Sequence, residues 1–599
     1  MTLTETKPED AIIADAGAAP GLADQTAPGP DAALAPTATA QTQTQAPASR
    51  PQVSVSRTQA LADLLSTGDS TLIGRLWVFF GLGFGVFSAV AGLLVAAERL
   101  NTGRLDLFAG HRAHFLFFSL HGVSLVLLCV VPLFIGLAHC VVPRQIGASS
   151  MAFPRLAMAS LAIWLIGSGL LIASWGIDGG LAAGGSQEAT ELSLLSLGLV
   201  VLALAVASLN LACTVILQRS QNFPRLADVP FFSLAILVVG GLWLVSFAIL
   251  LGNVMVMWVD ARGVSAAKYG LGENLYGQIS WIFTQQQVFA FALPLLGIVA
   301  DALQGSFGQR KPGSAMWPPA ISATRSKAQS HAKLVVSLFA IVAFGGAIQG
   351  FFNPEFFSSP VYVVAPFVAI LILLGVLRAL GMLVREQSAP PRPTLGLLLG
   401  GMSLALLLGA VVLAGMRTVG RLVGVLDIFS DEPDWRNDLD RLLSPFDNLL
   451  GTTAGTSVFH ATLLAGLLGA IAGLYIWGPG VLGHKLRASV GLPAGLMIFV
   501  GTLLYAVPDM VSGFWGQPEL PAASIPQAQA QTFVANSGVE VANIISFIGA
   551  CAVLLGLALV ALDVLAALRQ GTQQKLAAAD SAGASSSQPA AVPDMAGLA

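Results

Sequence analysis

The strongest constraint on this chain is the spacing of its apolar segments. Twelve runs, at residues 72–97, 113–140, 153–175, 191–217, 231–258, 277–304, 333–352, 360–384, 394–416, 453–477, 487–515 and 538–568, each come close to the ~20 residues that carry a helix across a bilayer core. Backbone in hydrocarbon must satisfy its own hydrogen bonds, so such runs become helices. The expected fold is an all-α integral membrane protein, a bundle of twelve transmembrane helices. Apolar residues make up 55% of the 599 and charged residues 10%, too few to coat a soluble fold of this size. The formal charge of −3 offers no electrostatic footprint for nucleic acid, and the partner that composition implies is the lipid bilayer. Cys129, Cys140, Cys213 and Cys551 lie in or beside apolar runs, without CxxC or CxxCH spacing. No zinc site, covalently attached haem or disulfide framework is therefore expected.

The two ends differ from the middle. Residues 1–70 are rich in Ala, Pro, Thr and Gln, and residues 571–599 in Ala, Ser and Gln. Neither stretch buries enough apolar surface to offset its ordering entropy, so both are expected to be disordered tails around a membrane domain over 71–570. Glu5, Glu9 and Asp10 stand where a secretion signal carries a basic run and then an apolar core. Alternate loops collect Arg144 and Arg155; Arg219 and Arg225; Arg310, Lys311, Arg325, Lys327 and Lys333; Arg385 and Arg392; and Lys485 and Arg487. On the other side, loop 417–452 carries Asp427, Asp431, Glu432, Asp434, Asp438, Asp440 and Asp447. Basic loops stay inside, so both tails are expected in the cytoplasm of a multi-pass cell-membrane protein, the inner membrane in a bacterium.

Histidine placement narrows the function. His111, His331 and His484 fall in loops, and His114 and His139 near the ends of the second run. His121 and His460 lie deep, about eight and seven residues into the second and tenth runs, or ~10–12 Å below the outer surface at ~1.5 Å per residue. Two histidines at one depth on different helices can ligate one haem iron from opposite sides. The plainer alternative is that each merely bonds a backbone carbonyl inside the bundle.

Local sequence bears on that choice. Ser119 to Arg155 reads SLHGVSLVLLCVVPLFIGLAHCVVPRQIGASSMAFPR, and Val458 to Gly483 reads VFHATLLAGLLGAIAGLYIWGPGVLG. The first closely resembles the second and third spans of the haem-copper oxidase large subunit, the cytochrome c or quinol oxidase subunit I. There an HG pair leads to a proline, a turn and a MAFPR-type start to span three. The second resembles that family's tenth span, with its HFH and a later aromatic stretch before a proline. The resemblance implies the twelve-helix architecture of subunit I, with His121 and His460 as axial ligands of one low-spin haem of b or a type.

The same resemblance marks departures. The family's sixth span carries HPEVY, and the stretch from Trp281 here reads WIFTQQQVFAFALP, placing Gln285 at a copper histidine, Gln287 at the buried acid and Phe289 at the tyrosine. The paired copper histidines of the seventh span fall on Phe351 and Phe352, and the proximal histidine of the oxygen-binding haem falls on Val458. Phe and Val offer no lone pair, and Gln is a poor copper ligand beside imidazole. The glutamines are expected instead to hydrogen-bond between helices. The family's proton-carrying groups fall on Ser150, Gln287 and Ile370, and the remaining acids Asp301, Asp509 and Asp563 are read as solvated at span ends. The arginine pair that holds haem propionates is replaced around Gln517 to Leu520, with Arg112 or His114 as substitutes.

The sequence thus implies a divergent subunit I-like protein with one bis-histidine haem, no copper and no residue assigned a catalytic role. It would carry electrons within a membrane respiratory complex, or support that complex's assembly, beside a subunit II-like or cytochrome partner. Two alternatives stand beside it: a working terminal oxidase or nitric-oxide reductase with an unconventional site, and a non-redox structural or transporter-like bundle.

Overall fold

The computed structural model describes residues 57–100, 111–181, 185–263, 275–307, 326–345, 360–388, 390–422, 425, 438–439, 441–446, 449–519 and 535–585. Among these, regular structure is helical apart from an isolated antiparallel bridge between Thr452 and Pro518. In chain order the helices are α1 (Arg57–Leu65), α2 (Ser70–Glu98), α3 (His111–Val123), α4 (Val131–Gln145), α5 (Pro154–Gly176), α6 (Gln187–Leu217), α7 (Phe231–Ala261), α8 (Leu275–Ile279) and α9 (Trp281–Thr284). They continue as α10 (Gln287–Ala292), α11 (Pro294–Gly305), α12 (Lys327–Val342), α13 (Pro360–Arg385), α14 (Leu395–Thr418), α15 (Ala454–Leu482), α16 (Ala488–Phe514) and α17 (Ser537–Ser585).

Eleven helical stretches among the described residues are long and apolar enough to cross a membrane, against twelve apolar runs in the sequence. The run at 333–352 accounts for the difference. It holds the 16-residue α12, and residues 346–359, with Phe351 and Phe352 among them, lie outside the described set. The 277–304 run is not one continuous helix either. It is interrupted at Gln285, whose backbone is extended (φ −104, ψ −175), so its spanning portion is Gln287–Gly305. Helix α1 lies within residues 1–70, and α17 continues past residue 570 to Ser585. The Ala- and Gln-rich segment after 570 that looks disorder-prone is also good helix former.

Burial sorts the helices. In α13, the outward residues Val361, Val364, Val368 and Leu371 repeat every three or four positions and expose apolar side chains, a face suited to lipid rather than water. The stretches Ala113–Gln145 and Ala454–Leu482 behave oppositely, their most apolar windows being entirely buried inside the protein. Helices apolar all round belong at the centre of a bundle, and these two carry His121 and His460.

Glycine brings the central helix close to its neighbours. A Cβ on Gly469 of α15 would come 2.5 Å from Leu295 Cβ, so only glycine permits that approach. The α3–α4 span is locally underwound into a wider π-helix over Ser124–Val130, where the Val131 N–H donates to Val126 O. That wider turn starts three residues after His121 and ends just before Pro132, which has no N–H to continue an α-ladder. The turn before α5 is fixed by α6: Thr214 Oγ1 accepts from Ala152 N (3.0 Å), and Asn210 both accepts from Phe153 N and donates to Phe153 O (3.0 Å each). Side-chain pairing to a turn with Pro154 at the helix start is the physical content of the MAFPR motif. The last helix, α17, packs on both α16 and α2, which brings α2, α3, α15 and α16 around one buried space.

Candidate cofactor site between two buried helices

His121 and His460 meet. Their Nε2 atoms are 3.0 Å apart, so the equal depth read from the sequence is realised as direct contact. His121 Nδ1 lies 2.8 Å from Ser88 O on α2, and a carbonyl only accepts, so the proton of a neutral His121 sits on Nδ1. Its Nε2 is then a lone pair. Ser88 Oγ also donates to His121 O at 3.1 Å, locking the segment that carries the ring. Gly92, one helical turn along α2, makes room: a Cβ there would stand 2.5 Å from His121 Cε1.

The surroundings of His460 differ. Tyr505 of α16 stacks on its ring, centroids 4.0 Å apart at 23°. Asp509, one turn further along α16, places Oδ2 3.8 Å from His460 Nδ1, and neither atom has a hydrogen-bond partner. The other carboxylate oxygen is engaged: Ser546 Oγ donates to Oδ1 at 3.0 Å and Arg99 Nη1 at 3.5 Å. Asp509 is 1% exposed, which corrects its reading as a solvated acid at a span end. Asp563 is likewise 2% exposed, and its oxygens accept from Arg487 Nε (2.7 Å) and Arg487 N (3.0 Å). Asp301 accepts from the N–H groups of Phe231 and Phe232 at the start of α7 (3.0 Å each) and from Gln145 Nε2 (2.9 Å). Each acid is kept by partners rather than by water, because burial without them would be too costly.

Two small cavities of about 20 Å³ each flank the histidines, both lined by His121, His460 and Tyr505. The first ends in polar groups, Arg99, Thr284, Thr456 and Glu519, and the second is walled by aliphatics such as Leu125, Leu464 and Leu557. A flat apolar body with an acidic edge, such as the haem implied by the resemblance, matches that polarity. The hydrogen-bond accounting matches as well. While the two Nε2 atoms bond each other, the His460 proton must sit on Nε2, and its Nδ1 lone pair faces the Asp509 carboxylate. A metal held by both imidazoles would need the Nε2 atoms about 4 Å apart, roughly 1 Å more than the hydrogen-bonded pair shows, and the His460 proton would then be on Nδ1, toward Asp509 Oδ2. The residues present therefore fit a bis-imidazole metal site, and the fit rests on two orphaned buried atoms.

The polar end is built from residues that the sequence did not assign to it. Arg99 comes from the C-cap of α2, and Glu519 from the short segment bridged to Thr452, where Glu519 N donates to Gly451 O (2.9 Å). Burial holds the Glu519 carboxyl above the ordinary carboxylate range, against the pull of Arg417 and Arg99. Gly455 leaves its seat open, since a Cβ there would meet Glu519 Oε2 at 2.6 Å. The side chain of Arg112 lies outside the described residues, and His114 does not line either cavity. The glutamines act as interhelical bonders: Gln287 Oε1 accepts from Ser246 Oγ (3.0 Å) and Gly345 N (3.1 Å), and Gln286 Nε2 donates to Tyr362 O (3.0 Å). Gln285 is buried at the break before them. Val458 is buried on α15, Ser150 sits in the loop before α5, and Ile370 packs beside Gly415. Among the described residues no group of three or more His, Cys, Asp or Glu is arranged to hold a metal ion.

Residues 72–317 match the family model described as Cytochrome C and Quinol oxidase polypeptide I. A Streptomyces coelicolor protein bearing the name cytochrome c oxidase subunit 1-beta is 26% identical over 261 residues, 41% of this chain and 45% of that protein. The chain thus spans under half the length of that relative. Cytochrome c oxidase subunit 1 of Bacillus subtilis is 24% identical over 512 residues, covering 83% of this chain and 74% of the relative. Among solved structures, a cryo-EM structure of a heme-copper terminal oxidase dimer superposes with a TM-score of 0.58 at 13% identity, over 83% of this chain and 84% of that one. At that identity the likeness is one of fold.

Proposed function

This chain belongs to the haem-copper oxidase subunit I family, and we propose that within it the chain is an electron-transfer subunit holding one bis-histidine, low-spin haem. The observation that carries the reading is the His121–His460 contact, with its Nε2 atoms 3.0 Å apart between two fully buried helices. His121 and His460 would hold the iron, and Arg99 stands at the polar end of the cavity, where an acidic edge would lie. When bound, such a haem supplies one-electron transfer with no open coordination position. The chain's own contributions are to orient both rings, through Ser88 O on one side and the Tyr505 stack on the other, and to keep water from them. Gln287, which the resemblance sets at the family's buried acid, accepts from Ser246 Oγ and Gly345 N, and Gln286 beside it donates to Tyr362 O. The basic loops support a cytoplasmic location for both termini, and the proposed partner is another subunit of a membrane redox complex, of subunit II or cytochrome type.

A second reading, a working terminal oxidase, is favoured by the names of the relatives. A reduced-minus-oxidised spectrum of the purified protein, with a haem-to-protein ratio, separates the two. About one low-spin haem per chain supports the proposal; a second, high-spin haem supports the oxidase; no haem at all removes both.

A further inference from the structure

We propose that Asp509 is the positioning carboxylate of His460, so that the two histidines are chemically unequal ligands. This deepens the one-haem reading and rests on it. The geometry is asymmetric at every level. His121 Nδ1 is answered by the backbone carbonyl of Ser88 at 2.8 Å, a neutral acceptor. His460 Nδ1 faces a carboxylate oxygen at 3.8 Å. Ser546 Oγ and Arg99 Nη1 hold the opposite oxygen, Oδ1, and Thr453 Oγ1 donates to the Asp509 backbone carbonyl at 2.7 Å, so the side chain is anchored from two elements and its backbone from a third, with Oδ2 left toward the imidazole. Oδ2 and His460 Nδ1 are both buried and both without a hydrogen-bond partner. A buried carboxylate oxygen oriented this carefully and left unanswered is costly, and a proton on Nδ1 removes the cost.

An anion accepting from the far nitrogen of an axial imidazole makes that imidazole a stronger donor and favours the more positively charged ferric state. Asp509 therefore lowers the reduction potential and holds the His460 ring in its ligating tautomer. Arg99 limits the size of the effect by neutralising part of the charge.

The test uses the full-length, haem-loaded protein in detergent, with Asp509→Asn and Asp563→Asn compared with the unaltered chain by redox titration and low-temperature EPR. Asp563, a buried carboxylate that lines neither cavity and pairs with Arg487, is the control, and Asp563→Asn should leave the potential in place. Asp509→Asn should shift the ferric–ferrous equilibrium toward reduced by about tenfold, or about 59 mV for one electron, and change the g-anisotropy of the ferric signal. Haem retained with an unaltered potential and g-values in Asp509→Asn would overturn the proposal. Should that variant not accumulate, hyperfine spectroscopy of the unaltered ferric protein before and after deuterium exchange decides. Two inequivalent imidazole N–H couplings support the proposal, and two identical ones overturn it. An unaltered protein with no low-spin signal defeats the one-haem reading itself, a result distinct from either.

Discussion

His121 and His460 share a 3.0 Å Nε2–Nε2 contact although 339 positions separate them in the chain. Two neutral imidazoles gain only one hydrogen bond from that arrangement, and they leave a lone pair of His460 facing a carboxylate. The contact makes chemical sense as a pair of ligands. Replacing either histidine with Ala should abolish a six-coordinate low-spin haem spectrum, read by optical absorption of the purified variants. A low-spin signal retained in full by His460→Ala would remove the ligand assignment. His114→Ala should keep the spectrum, since His114 lines neither cavity.

Gly92 offers a second approach to the same site without touching a ligand. Its missing side chain is what lets the His121 ring lie against α2, since a Cβ would come 2.5 Å from Cε1 and 2.7 Å from Nδ1. Gly92→Ala should displace the ring at an overpacking cost of about 1–3 kcal/mol, with haem content and thermal stability both reduced. Gly83→Ala on the same helix meets nothing within 4 Å and serves as the control. Equal haem content in the two variants would mean that His121 is free to move.

Much of this fold was legible because lipid enforces simple rules. Runs near 20 residues had to become helices, and the two that carry His121 and His460 are the ones whose most apolar windows are wholly buried. Equal depth then placed His121 and His460 within reach of each other. What the sequence hid were properties of partners rather than of segments. Asp509 looked like an acid near a span end, and only the packing of α2 and α17 against α16 shows Arg99 and Ser546 closing over it. Arg99 itself follows an apolar run as an ordinary flanking cation would. The break at Gln285 had no proline or glycine to announce it, and the glutamine side chains that reach Ser246 and Tyr362 across the bundle leave no periodic trace.

Topology is open to direct labelling. In the proposed orientation the basic loop 305–332 is inside and the acidic loop 417–452 outside. A single cysteine at position 434, in a background with the four native cysteines replaced, should react with an impermeant maleimide from the outer side of intact cells. Reaction only after the cytoplasmic face is exposed would invert the orientation and put the Arg99–Glu519 end of the cavity on the inner side.

Glu519 gives a pH signature outside the membrane-spanning helices. Burial raises its pKa in the folded state, so between the ordinary carboxylate value and the raised one the folded protein binds a proton that the unfolded chain does not. Stability contributed by this group is therefore fully present below the unfolded pKa and is lost as pH rises through the folded one. Glu519→Gln, neutral throughout, should melt close to the unaltered protein at pH 4 and at a higher temperature than it at pH 8. Thermal unfolding in detergent across that range measures it. A variant destabilised at pH 8 would show that the ion pairing with Arg417 and Arg99 outweighs the burial.

The last expectation separates this chain from the activity that its relatives' names carry. In the proposed register, Val458 would stand at the proximal histidine of the family's oxygen-binding haem, and Gln285, Phe351 and Phe352 at the copper positions. Phe351 and Phe352 lie outside the described residues, but no placement gives a phenyl ring a lone pair for copper. Gln286 and Gln287, the polar groups nearest Gln285 in sequence, already serve Tyr362, Ser246 and Gly345. A haem held from both sides by His121 and His460 has no open position, so dioxygen or carbon monoxide could bind only by displacing a ligand. The purified chain should carry about one haem and no stoichiometric copper by metal analysis. Its reduced spectrum should not shift under carbon monoxide, and it should consume no oxygen with reduced cytochrome c or a quinol. Two haems with tightly bound copper and turnover would show that the register across Trp281 to Pro294 is misplaced and that imidazoles come from elsewhere. Since His111, His114, His139, His331 and His484 are the remaining histidines, combined Ala variants of those five would then identify the source.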